Sequence, residues 1–161
     1  MKYLKILIVC IGIGWFLNSC CEKADIDPEG SGYLVFGQFY GFCIGDDCVQ
    51  IFKLEHDNLL EDTKKEYPGR SDFYEGSYVG LDNSHFEQVK DLIDYFPEEM
   101  LNEVDTVFGC PDCMDQGGMY IEYNFNGIRK FWIIDNFTGN VPAYLHDFME
   151  KVNEKIDLIN N

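Results

Sequence analysis

Hydrophobic and polar positions change period several times along the chain, and each change marks a predicted element. In "GYLVFGQFY", residues 32–40, aromatic and β-branched side chains crowd together as in a strand. "CVQIFKLE", residues 48–55, has the same character, and the Gly-rich link before it predicts a hairpin. His56, Asp57 and Asn58 supply a turn, after which "LLEDT" continues the sheet. The Pro-Gly pair marks "EYPGRSD" as loop, and "FYEGSYVGL", residues 73–81, reads as strand or loop. The period then shifts to that of a helix, with Phe86, Val89, Leu92, Ile93 and Phe96 on one apolar stripe. Ser84 and Glu87 precede it at capping-box spacing, and Pro97 ends this helix or starts a short second one through "EEMLNEV".

Strict alternation returns in "GMYIEYNFNGIRKFWIID". Met119, Ile121, Tyr123 and Phe125 alternate with Tyr120, Glu122 and Asn124, and Asn126-Gly127 tolerates the positive φ of a two-residue hairpin turn. After a polar loop, Pro142 opens a last helix with Leu145, Phe148, Met149, Val152, Ile156 and Ile159 on one side. The order β-β-(β)-α-β-β-α predicts an α+β domain, an antiparallel sheet with helices on one face.

The first residues have a different pattern. Lys2 and Lys5 precede an apolar run from Ile6 to Leu17, shorter than the roughly 20 residues of a membrane span and suited to a secretory signal. "LNSC", Leu17 to Cys20, resembles a lipobox, where bacterial lipoproteins are acylated on the cysteine and cut just before it. The expectation is a signal peptide over residues 1–19, an acylated tether over 20–32 lipidated at Cys20, and a single α+β domain over 33–161. Each buried acyl CH₂ contributes about 0.8 kcal/mol, so several chains such as palmitate hold a protein firmly to a bilayer. The tether's Glu22, Asp25 and Asp27, interrupted by Lys23, loosely resemble the signal that moves lipoproteins to the cell surface in Bacteroidota.

Charge narrows the partners. The chain has 12 basic and 29 acidic residues, and removing residues 1–19 takes away Lys2 and Lys5 but no acid. Such an acidic surface repels nucleic acid and anionic headgroups and favours solubility. The expected membrane contact is therefore through the lipid anchor, with a protein or envelope partner unspecified. At 16% aromatic residues the chain has the mass for a packed core.

Catalytic signatures are missing from the sequence: there is no Gly-x-Ser-x-Gly elbow, His-Glu-x-x-His helix or phosphate-binding glycine loop. His56 falls in a turn, and His85 and His146 fall in opening turns of helices, positions where surface histidines are ordinary. No catalytic residue is assigned, and the reading leans away from an enzyme.

Four domain cysteines remain, in two close pairs: Cys43 with Cys48, and Cys110 with Cys113 of "GCPDCMDQGG". If the strand after Cys113 runs parallel to the strand after Cys48, both pairs meet at one end of the sheet. Three readings stay open. An oxidising compartment favours disulfides. A four-cysteine zinc site has workable spacing, although Met114 stands where a zinc-ribbon knuckle has glycine. A thiol-redox pair comes last, because the thioredoxin motif opens a helix and a strand is expected here. Within the disulfide reading, the tight Cys110–Cys113 closure favours pairing across to Cys43 and Cys48.

The segments "FGQFYGFCIGDDCVQIFKLE", "CPDCMDQGG", the strand–Asn-Gly–strand unit and "VPAYLHDFMEKVNEKI" together resemble an uncharacterised family of small Bacteroidota lipoproteins. The resemblance implies this fold and an outer-membrane location, facing the periplasm or the cell surface, with no established activity. "DTV", residues 105–107, is similar to the O-glycosylation acceptor of exported Bacteroidota proteins, which makes Thr106 a candidate site.

Overall fold

The computed structural model describes residues 32–161; the expected signal peptide, Cys20 and the tether up to residue 31 lie outside them. The domain is α+β, a seven-stranded sheet with two α-helices packed on one face. Strands β1 (Tyr33–Phe39), β2 (Val49–Leu54), β3 (Leu59–Asp62) and β4 (Tyr78–Gly80) come first, followed by helix α1 (Asn83–Val89). Then come β5 (Val107–Phe108), β6 (Gly118–Phe125), β7 (Ile128–Asp135) and helix α2 (His146–Ile159). The spatial order is β4-β3-β2-β1-β6-β7-β5, antiparallel throughout except for the parallel β5–β7 pair.

The register follows the period-two side-chain alternation. Leu34 opposes Leu54 and Tyr123, and Phe36 opposes Phe52 and Ile121. These side chains join Met119, Trp132 and Ile134 beneath the helices. From α2, Phe148, Met149, Val152 and Ile156 complete this layer. At the β6–β7 turn Asn126 and Gly127 take φ of 52° and 76°, the left-handed pair expected there.

The other face is also covered. Val35, Phe39, Ile51, Tyr120 and Ile133 form a second buried cluster with Tyr74, supplied by the segment between β3 and β4. This segment stays out of the ladder because side chains take its backbone groups: the Tyr74 amide donates to the Tyr120 hydroxyl at 2.9 Å. Asp62, fully buried, organises the same segment by accepting from the Tyr74 hydroxyl and from the amides of Lys64, Lys65 and Ser77. Of residues 73–81, which read as strand or loop, only 78–80 therefore pair.

Two further expectations need correction. The helix cap is Asp82, not Ser84: one carboxylate oxygen accepts the amides of Ser84 (2.9 Å) and His85 (3.2 Å), and Ser84 lies inside the helix. Glu87 pairs with Lys90 at 2.6 Å instead of closing a capping box. The α-helix also stops at Val89, and Leu92–Tyr95 continues as a 3₁₀ turn. Pro97 disfavours helical geometry at Phe96, which is extended (φ −62°, ψ 122°), so the last turn tightens. The apolar stripe still packs as expected, with Val89 and Leu92 fully buried. Strand β5 was not anticipated, because two residues carry no readable period.

Candidate interaction site

Four strand ends coincide at one end of the sheet. Phe39, the last residue of β1, opposes Val49 of β2 and Gly118 of β6, and Gly118 opposes Asp135, the last residue of β7. Strands β2 and β6 are both antiparallel to β1 and hence parallel to each other, which brings the two cysteine segments to this one end.

The pairing across the segments does not occur. Cys43 bonds to Cys48 and Cys110 to Cys113, with a Cα–Cα distance of 5.5 Å in each case. Local backbone geometry accounts for this. The Cys48 amide donates back to Gly45 and the Cys113 amide to Cys110, and these turns set each pair at disulfide distance. Cys43, Cys110 and Cys113 are exposed and Cys48 is half-buried.

What joins the two segments is a carboxylate. Asp112 Oδ2 accepts the Gly41 amide at 2.8 Å and the Tyr67 hydroxyl at 3.1 Å, while Oδ1 accepts the Gly117 amide at 3.0 Å. A side chain on Gly41 would run into Asp112 Oδ2 and push the carboxylate from this position. Burial first, and then the Asp112 carboxylate, push the Tyr67 phenol up to about 12, so it stays a donor. Arg70 reaches across from the β3–β4 segment to the Pro111 carbonyl at 2.6 Å.

A second carboxylate holds the base of this end. Asp135, fully buried, accepts from the Cys110 amide, the Phe137 amide, Gln116 Nε2 and Asn140 Nδ2, all within 3.0 Å. Burial pushes its carboxyl up, but the hydrogen bonds together outweigh this and hold it below the ordinary aspartate value. Neither carboxylate's role was readable beforehand. The available signal was indirect: Asp112 and Asp115 sit among glycines, where an Asp in left-handed backbone (φ 58° and 59°) is at home.

Large apolar side chains project from these pinned loops. Phe42 is 86% exposed and Ile44 104%, both from the β1–β2 connection; Met114 is 85% exposed and Phe137 61%. His85 Nδ1 meets Asp82 Oδ1, which also accepts the Ser84 hydroxyl, His146 Nε2 meets the Thr138 carbonyl, and His56 lies in the β2–β3 connection. Thr106 is exposed, and its carbonyl accepts the Ile133 amide where β5 begins. Among the described residues no group of three or more His, Cys, Asp or Glu is placed to hold a metal ion, and no helix is long and apolar enough to cross a membrane.

Compared with known proteins, the chain matches no family model, no curated protein and no solved structure.

Proposed function

We propose that the protein is an exported, lipid-anchored interaction module that presents the disulfide-held end of its sheet to a protein partner. The anchor rests on the order of Lys2 and Lys5, the apolar run and "LNSC", together with the resemblance to small Bacteroidota lipoproteins. In this reading Cys20 carries the lipid and the domain stands at the outer membrane.

The interaction role is carried by one observation: Phe42, Ile44, Met114 and Phe137 project from three loops at the same end. Exposed apolar residues scattered singly are ordinary, whereas several together mark a contact surface. Two disulfides and two carboxylates fix these loops before any partner arrives, which lowers the entropy lost on binding. Tyr33 begins β1 at the opposite end of the sheet from these loops.

A photo-cross-linking residue placed in cells at Ile44 or Phe137 tests this, with Glu150 on α2 as control. The reading expects one discrete protein adduct from both tip positions, none from Glu150, and loss of the adduct with Phe42→Ser. Adducts from neither tip position would contradict it. Zinc bound by all four cysteines as thiolates is the alternative, detected as metal in protein purified without chelator. Thiol-redox activity, the third reading, is tested by insulin reduction.

A further inference from the structure

A polar cavity of about 130 Å³ lies on the sheet face opposite the helices, between the sheet and the β3–β4 segment. A cavity needs about 10–15 Å³, measured in the same way, to admit one water, so this one has room for a small organic ring. Tyr33, Lys53, Tyr74, Tyr78, Glu122 and Arg129 are among its lining residues. Tyr33 and Lys53 lie towards the tether end of the sheet, well away from the disulfides.

Its charged groups are fixed and internally balanced. The Glu122 side chain is only 2% exposed; Oε1 accepts from the Tyr33 hydroxyl (2.9 Å) and Arg129 Nε (2.8 Å), and Oε2 accepts from the Tyr120 hydroxyl (2.9 Å). Arg129 also stacks on the Phe73 ring at 4.0 Å. Lys53 sits 4.2 Å over the Tyr33 ring and pairs with Glu55 at 2.7 Å. Glu75 also lines the cavity, so Lys53 and Arg129 stand against Glu75 and Glu122 and the lining is formally neutral.

Hydrogen-bonding capacity is left over in both senses. The Tyr78 hydroxyl is buried without a partner among the described residues. Burial, and then the nearby Asp62 and Glu122 carboxylates, hold that phenol well above its ordinary pKa, so it keeps its proton. Arg129 spends only Nε on Glu122, which leaves its Nη donors, and Glu122 Oε2 keeps one lone pair. A buried hydroxyl with no partner costs stability, and because this one has no solvent-accessible surface a ligand recovers the bond only as the Tyr78 ring turns toward the cavity. Mixed donors and acceptors, no net charge and tyrosine rings on the walls suit hydroxyl groups on a compact ring.

We propose that this cavity binds a neutral, polyhydroxylated ligand of about monosaccharide size. The inference is independent of the anchor and of the apolar end.

Calorimetric titration of the intact domain with glucose, galactose and N-acetylglucosamine tests it, with acetate and phosphate as charged comparators. At least one sugar is expected to bind saturably. Tyr78→Phe removes only the unpartnered hydroxyl, so it should melt no lower than the wild type yet bind that sugar about tenfold more weakly. Lys53→Met, which keeps the side-chain length, should also weaken binding. Saturation by none of the three sugars, binding of acetate or phosphate alone, a Tyr78→Phe variant that melts lower, or unchanged sugar affinity in both variants would each overturn the proposal.

Discussion

Asp112 Oδ2 accepts the Gly41 amide at 2.8 Å, and this bond ties the two disulfide loops into one unit. Asp112 lies between Cys110 and Cys113, and Gly41 lies two residues before Cys43. The carboxylate thus does the cross-linking that pairing between the two cysteine segments would have done.

Substitutions at Asp112 separate its two roles. Asp112→Asn keeps a side chain that tolerates the left-handed backbone (φ 58°) but has one acceptor oxygen for three donors, and should cost about 1 kcal/mol. Asp112→Ala loses every acceptor and adds backbone strain, so about 2–3 kcal/mol is expected. Chemical denaturation checks the order, and equal losses for the two variants would show that the hydrogen bonds matter little.

The sheet and its helices were legible in the sequence because burial imposes a period. Alternation in 118–125 and the stripe from Phe86 to Phe96 both ended where expected against the core. The loop chemistry was not legible. Ser84 has the right spacing for a cap, yet Asp82, two residues earlier, offers a stronger acceptor and takes the amides. Glu122 and Tyr120 look like the solvent side of an alternating strand, but the β3–β4 segment folds over them, and nothing in a period of two reports such a cover. The cysteine segments meet at one end because β2 and β6 do run parallel, the condition the sequence left open, while their partners depended on turn geometry that spacing alone does not reveal.

Acid should destabilise the domain through Asp62 and Asp135. Burial raises each carboxyl and hydrogen bonds more than offset it, led by Tyr74 for Asp62 and by Asn140 for Asp135, so both folded values are depressed. A depressed carboxyl contributes stability that is fully present above its unfolded pKa, about 3.9, and is lost as pH falls through the folded value. The melting temperature should therefore hold above about pH 5 and drop below about pH 4. Asp135→Asn should lower the plateau and flatten the acid limb, and an acid limb as steep as that of the wild type would assign the effect elsewhere.

Tyr120→Phe should destabilise, in contrast to Tyr78→Phe. The Tyr120 hydroxyl is buried, donates to Glu122 at 2.9 Å and accepts the Tyr74 amide at 2.9 Å, so its removal leaves two buried groups short of a partner. A loss of about 1–3 kcal/mol is expected from equilibrium unfolding, with the β3–β4 segment more open to proteolysis. A neutral result would mean that the segment is not held by this bond.

Each disulfide closes a short loop and contributes about 2 kcal/mol in the chain-entropy model. Cys43→Ser/Cys48→Ser should lower stability by about that amount and leave the Cys110–Cys113 bond intact, because no exchange between the pairs is needed. Appearance of a Cys110 or Cys113 bond to any other cysteine in the wild type would contradict this independence.

Non-reducing peptide mapping of protein extracted from the membrane fraction of native cells tests the whole account most directly. The predicted result is an acylated N-terminal peptide beginning at Cys20, one peptide pair joined by Cys43–Cys48 and another by Cys110–Cys113. An unmodified Cys20 still continuous with the residues before it, or four free cysteine thiols in the domain, would contradict an exported, lipid-anchored module with a disulfide-held end.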